Sequence, residues 1–158
     1  MRRTCEASVT AEAPIEAVWE LVADVTRVGE WSGECRGCTW VDGSGSAIKG
    51  ARFRGRNRRG GMRWTRTNEV VDVEAPHRLV WRTVPGFPYP DSVEWELRLA
   101  EKDGGTLVTE SFQVLKIPKL MEWMIGVAMP AHEDRTQDLA EDLGRLKHLV
   151  ESTGRTDR

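Results

Sequence analysis

The sequence is short of cysteine, tyrosine and long apolar runs, and it has no excess of either charge. Three cysteines in 158 residues are too few, and odd in number, for a disulfide scaffold, so a reducing cytoplasm is the expected compartment. The formal net charge of -2 excludes a polycation built to coat nucleic acid or anionic lipid. The longest apolar stretch, Leu120 to Met129, is about ten residues and contains Glu122, whereas a membrane span needs roughly twenty. Met1-Arg2-Arg3-Thr4-Cys5-Glu6 holds no apolar core, so no secretory signal is expected. No P-loop, Gly-x-Ser-x-Gly elbow, His-Glu-x-x-His helix, dinucleotide fingerprint or EF-hand loop occurs, which removes many enzyme classes by motif.

What the sequence does have is tryptophan, seven against a single tyrosine, and side chains of that size must pack against something. The pattern along the chain divides into three blocks. Cys5, Ala7 and Val9 alternate with Glu6, Ser8 and Thr10, the period of a strand. Ala13-Pro14 then starts a helix with Ile15, Val18, Trp19 and Val22 on one face, and a second short helix follows from Val25 to Trp31. From Cys35 to Leu115 the turn signals Asp42-Gly43-Ser44-Gly45, Arg59-Gly60-Gly61, Ala75-Pro76, Pro85-Gly86 and Asp103-Gly104-Gly105 punctuate an antiparallel meander. Within it, Val93, Trp95, Leu97 and Leu99 alternate with Glu94, Glu96 and Arg98, so one sheet face is apolar and needs a cover. Pro118 opens a long helical pattern that runs to about Val150 with the stripe Leu139, Leu143, Leu146 and Val150, and Pro130 should kink or split it. One domain spans 1–151, and the polar residues 152–158 read as a disordered tail.

Strand, two short helices, six strands and a long helix make an α+β chain in which only the amphipathic C-terminal helix is large enough to cover the apolar sheet face. The order and spacing of several segments carry a resemblance. They are Val9-Thr10-Ala11-Glu12-Ala13-Pro14 through Val18-Trp19, Gly29-Glu30-Trp31, Gly50-Ala51-Arg52-Phe53, the run from Val70 to Leu79, Gly104-Gly105-Thr106 with Glu110, and Leu146-Lys147. On these residues the chain resembles the START-like helix-grip superfamily, specifically the bacterial polyketide cyclase/dehydrase-like (SRPBCC) proteins, over nearly its whole length. The resemblance implies a helix-grip fold, with a curved antiparallel sheet of about seven strands around a long C-terminal helix, and an elongated apolar pocket between them. Relatives include lipid carriers, hormone receptors and ring cyclases, so the fold does not choose a function.

If that pocket exists, inward-facing residues must line it. On the strand from Ser92 these are Val93, Trp95, Leu97 and Leu99. On the last strand the family pattern turns Val108, Glu110 and Phe112 inward. On the strand from Met62, Trp64, Arg66, Asn68 and Val70 share a face, taken as the inner one, and Trp81 joins the aromatic set with Trp95 and Trp123. From the helical side Met121, Met124, Ile125, Ala128 and His132 can reach the cavity. A few polar groups converging in an apolar cavity form a small-molecule site. Glu110, Arg66, Asn68 and His132 would then orient a polar group on the ligand, unless Glu110 and Arg66 simply pair with each other, as buried charges usually do. The tryptophans would equally serve as core. Two loops should flank the mouth, 58–62 and 85–91; the second carries Phe87 and Tyr89 between prolines and reads either as a lid or as a locally packed connection.

Two further signals invite other functions. Cys35-Arg36-Gly37-Cys38 has C-x-x-C spacing, but a structural zinc needs four ligands and only Cys5 and scattered histidines remain. On a regular strand the two thiols face opposite ways, so neither a metal nor a redox role is expected, and no cofactor is implied. Residues 49–66 hold eight basic residues and no acid, with Arg52, Arg54, Arg56 and Arg58 striping one face. That stripe suits phosphates, or it is a solvated outer face, and acids on the long helix (Glu133, Asp134, Asp138, Glu141, Asp142) can offset it within one molecule or across a homodimer. Given the net charge, a nucleic-acid partner is not expected.

The leading expectation is a protein that binds a small hydrophobic or aromatic ligand, lipid- or polyketide-like, in an internal cavity. The alternative is a polyketide cyclase or dehydratase-type enzyme with Glu110 or His132 as acid/base. A third is an interaction module that uses the arginine face at 49–66.

Overall fold

The computed structural model describes residues 1–156. Strand β1 (Thr4–Ala11) leads into helix α1 (Ile15–Ala23), a 3-10 turn (Val25–Arg27) and helix α2 (Val28–Trp31). Strands β2 (Cys35–Trp40), β3 (Arg52–Arg59), β4 (Met62–Glu74), β5 (Arg78–Thr83), β6 (Ser92–Lys102) and β7 (Gly105–Lys116) follow. Helix α3 (Lys119–Ala128), a 3-10 turn (Pro130–His132) and helix α4 (Thr136–Thr156) complete the described chain.

All seven strands form one antiparallel sheet in the order β1-β7-β6-β5-β4-β3-β2. The chain builds it as a meander from β2 to β7 and then borrows β1 for the open side of β7. Asp103 and Gly104 close the β6–β7 hairpin in two residues, both at positive φ (52° and 78°), the conformation that matches the twist of the flanking strands. Alternation decides the faces. Leu97, Leu99, Val108 and Phe112 are buried, whereas Glu6, Arg98, Arg82 and Glu94 form cross-strand ion pairs on the outer side.

Helix α4 covers the inner face. Its stripe of Leu139, Leu143, Leu146 and Val150 is buried, and Leu143, Leu146 and Val150 share one core cluster with Leu97, Val108 and Phe53. Directed bonds fix its position: Lys147 Nζ donates to Thr10 O at 2.7 Å, Arg145 Nε to Trp31 O at 2.9 Å, and the Gly33 amide to Asp142 Oδ1 at 2.8 Å. Leu146→Ala should destabilise the fold by about 3 kcal/mol, because a fully enclosed leucine leaves a cavity that its neighbours cannot fill. Urea denaturation measures it.

The helical pattern from Pro118 is split at Pro130 into two helices, one of the two outcomes expected there. Pro130 lacks an amide hydrogen to continue α3, and the Asp134 carboxylate starts α4 by accepting the Thr136 amide at 2.9 Å and its hydroxyl at 2.6 Å. At the far end α4 runs to Thr156, so residues 152–156 are helical and not the expected tail; positions 157–158 lie outside the described residues. No described helix is long and apolar enough to cross a membrane.

Candidate functional site

A cavity of about 660 Å³ lies between the inner sheet face, α3 and α4. It exists because the sheet curves away from α4 toward β2–β4, where small or polar inward residues (Gly55, Asn57, Asn68) stand in place of the Leu97 and Leu99 of β6 and the Val108 of β7. Trp64, Arg66 and Asn68 on β4, Trp81 on β5, Trp95 on β6, and Glu110 and Phe112 on β7 all line it. Met121, Met124, Ile125 and Ala128 on α3, together with His132, form the opposite wall. The aromatic wall is interlocked: Trp95 packs on Phe112 at 4.8 Å, Trp81 on Phe53 at 6.0 Å, and Trp64 on His132 at 6.0 Å between ring centres. Trp123, in contrast, is exposed on the far side of α3 and belongs to no core.

The polar groups are paired differently from the expected Glu110–Arg66 bridge. Arg66 Nη1 donates to both carboxylate oxygens of Asp91 at 2.9 Å, and Nη2 donates to the Asp91 carbonyl at 3.2 Å. This fork clamps the 85–91 loop onto β4, and the Arg66 guanidinium also lies 5.2 Å from the Tyr89 ring centre. Tyr89 therefore edges the cavity. Phe87 does not: it is fully exposed and lines nothing, because the Gly86–Tyr89 backbone bridge turns it outward.

His132 is equally engaged. Its Nε2 lies 2.7 Å from Glu34 Oε2, which also receives Arg135 Nη2 at 3.1 Å and Arg59 Nη1 at 3.4 Å. Burial disfavours the Glu34 carboxylate, but the His132 hydrogen bond and the Arg135 charge outweigh it and hold its pKa at about 2. Arg59 also forks onto Asp138 at 2.6 and 3.0 Å, tying β3 to the start of α4.

Glu110 is left alone. It is buried, accepts no hydrogen bond at Oε2, and has its pKa pushed up to about 8 by desolvation, with the nearby Asp142 charge adding and Arg135 opposing. Two other buried polar atoms lack a partner, Trp31 Nε1 and Arg135 Nε, and both residues line the same cavity. The Arg135 guanidinium lies 5.2 and 5.3 Å from the Trp95 and Phe112 ring centres. Unsatisfied buried polar groups are costly and rare, so three on residues lining one cavity single out this end of it as the polar one.

Sequence reasoning missed Trp31, Glu34, Asp91, Arg135 and Asp142. Glu34 and Asp91 sit at strand entries and Arg135 lies in the break between helices, where no period applies; Trp31, one turn after Val28 on α2, and Asp142, three residues after Leu139 on α4, had a helical-spacing signal. It also misplaced Cys35 and Cys38. A bulge between Cys35 and Gly37 shifts the register, so both thiols face inward, 3.4 Å apart, and line the cavity. Gly37 within a strand was the available signal. Among the described residues no group of three or more His, Cys, Asp or Glu side chains is placed to hold a metal.

The arginine stripe lies on the outer face. Arg52 reaches Glu69 at 3.6 Å, while Arg54, Arg56 and Arg58 pair with no acid among the described residues. Helix α4 packs on the other side of the sheet, so its acids do not offset the stripe within the molecule; only Arg59, which points inward, meets Asp138.

Comparison with curated proteins finds no match. Among solved structures, the fold is shared with protein CV1439 of Chromobacterium violaceum (TM-score 0.70, 17% identity, 96% of this chain and 99% of that one). It is also shared with the Polyketide_cyc-like protein Cgl2372 of Corynebacterium glutamicum (TM-score 0.55, 28% identity, 98% and 92%). A third similar structure is DynU16, a protein of the dynemicin biosynthetic locus (TM-score 0.64, 20% identity); it matches 97% of this chain, which spans about half its length at 49%. A family model described as polyketide cyclase / dehydrase and lipid transport matches residues 2–151. With that match over almost its whole length, and with the seven-stranded sheet gripping α4, the chain belongs to the polyketide cyclase/dehydrase and lipid transport family.

Proposed function

We propose that this protein binds a small, largely apolar molecule with one hydrogen-bonding end in the cavity between its sheet and its helices. The observation that carries the reading is the coincidence of an aromatic and methionine-lined space of about 660 Å³ with three lining residues that each carry an unpartnered buried polar atom. Enclosure supplies the affinity, at roughly 25 cal/mol per Å² of apolar surface removed from water. Orientation comes from the polar end. Arg135 Nε and Trp31 Nε1 are donors, and Glu110, protonated at neutral pH, donates as well. The complementary ligand group is therefore an acceptor oxygen, such as a carbonyl, enolate or carboxylate. Family membership supports a lipid- or polyketide-like skeleton.

Catalysis is the second reading, and one observation favours it: Glu110 has a pKa near neutrality and no partner, the condition of a general acid. His132 is the weaker candidate because Glu34 already engages its Nε2.

Native mass spectrometry of the purified protein, against a denatured control, tests the binding reading. A co-purifying mass that leaves on denaturation, or a thermal shift of several degrees with planar aromatic ketones or fatty acids, is the expected result. A clean apo mass with no shift across such a panel would overturn it. Turnover of a bound ligand that is lost in Glu110→Gln would favour the enzyme.

A further inference from the structure

The bulge that brings Cys35 and Cys38 together creates a feature that ligand binding does not use. Both cysteines are free, both are buried in the protein matrix, and both border the cavity. Their sulfurs are in hydrogen-bond contact at 3.4 Å. The residue paired with Cys38 on β3 is Gly55, which lies beside both sulfurs: a side-chain carbon there would be in ordinary contact with them, at 3.5 Å from Cys38 and 3.9 Å from Cys35. On the outer side, the Arg56 guanidinium lies against Gly37, between the two cysteines in sequence.

We propose that Cys35 and Cys38 are a redox-active dithiol in the cavity wall, which a hydroperoxide entering through the cavity closes to an intramolecular disulfide. The Cys35 thiolate attacks one peroxide oxygen. The O–O bond breaks, an alcohol (or water, from hydrogen peroxide) leaves, and Cys35 carries a sulfenic acid. The Cys38 sulfur then attacks the Cys35 sulfur; the S–S bond forms, the S–O bond breaks and water departs. The two thiols together lose two protons and two electrons, and the peroxide takes up both. An external dithiol reverses the step.

The order of attack follows from the contacts. The Cys38 S–H hydrogen bond holds the Cys35 thiol low against the effect of burial, with the Gly37 amide helping, Glu34 opposing and Arg56 adding a smaller positive field. The same bond, with burial, pushes Cys38 up, so Cys35 is the attacking thiol and Cys38 the resolving one. Closure replaces two S–H groups on the wall with an apolar bridge, so the oxidation state of the pair sets the polarity of this part of the cavity.

The test is independent of any ligand. Reduced, desalted protein is treated with hydrogen peroxide and, separately, with cumene hydroperoxide. Its free thiols, counted after denaturation, should fall from three to one, and its intact mass should drop by two hydrogen atoms. A peptide map should place the bridge between Cys35 and Cys38, and dithiothreitol should restore both thiols. Cys38→Ser should stop at a sulfenic acid on Cys35 that dimedone traps, whereas Cys35→Ser should leave Cys38 unreacted. Folded wild-type protein that keeps three thiols, or forms a bridge through Cys5, would overturn the proposal. So would equal dimedone labelling of the two single variants. The wild-type thiol count and map decide the matter even if a variant fails to fold.

Discussion

Glu110→Gln should make the protein more stable at neutral pH, and the gain should disappear in acid. The folded-state pKa of Glu110 is raised to about 8 from an ordinary value of 4.5. Below about pH 4.5 both folded and unfolded chains hold the proton and the group has no effect on stability. As pH rises toward 8, the unfolded chain releases its proton while the folded chain keeps it, so stability falls with pH and levels off above the folded value. At pH 7 the accumulated penalty is about 3 kcal/mol, worth roughly 5–10 °C in melting temperature for a domain of this size. Glutamine has the shape of the protonated acid and cannot ionise, so it removes the slope. Two charged groups face this carboxyl from the helical side: Asp142, itself raised mainly by burial, and Arg135. Thermal melts of parent and variant at pH 4.5, 6, 7 and 8 read the difference directly. Parallel profiles would mean that the Glu110 carboxylate is satisfied when charged, and the acceptor-oxygen end assigned to the ligand would lose its main support.

Arg66→Met should cost about 3–5 kcal/mol, the effect of breaking a buried ion pair from one side. The Arg66 and Asp91 side chains are only 11% and 8% exposed, so methionine leaves a carboxylate that water reaches poorly. The double variant Arg66→Met with Asp91→Asn should recover a large part of the loss, because the orphaned charge is gone. The geometry adds a local readout. Arg66 holds the Asp91 side chain and its backbone carbonyl and stacks beside Tyr89, so its removal frees the 85–91 loop. Limited proteolysis should then cut in that loop well before the rest of the chain. A loss below about 1 kcal/mol, with the loop still protected, would show that the pair is solvent-relaxed.

The sheet and its covering helix were legible because their signals are periodic. Val93 through Leu99, and Leu139 through Val150, each repeat with the period of their element, and burial follows that period closely. The same alternation puts Trp64, Arg66 and Asn68 on one face, whereas the inward direction of Glu110 and Phe112 came from the family resemblance; all five line the cavity. Alternation fails where a residue is added. The Cys35–Gly37 bulge turned two thiols expected on opposite faces into a contact pair, and no count of spacing reports a bulge except through its glycine.

Which charges meet was a different matter. Arg66 had Glu110 as its natural partner on an inner face, yet Asp91 takes it, because the loop after β5 folds back over β4 and delivers a carboxylate at the right end of the strand. That choice strands Glu110, and Glu34 is drawn into the His132, Arg135 and Arg59 cluster from across the cavity. Local sequence sets the faces of strands and helices through side-chain periodicity, and with them the antiparallel meander and its covering helix; the cavity was implied by the family resemblance. Partner choice among ionisable groups, and so the lone protonated carboxyl and the paired thiols, depends on loop paths and on one register shift. These bring together residues 98 apart, as in His132 and Glu34, by contacts that exist only once the sheet has closed around its helix.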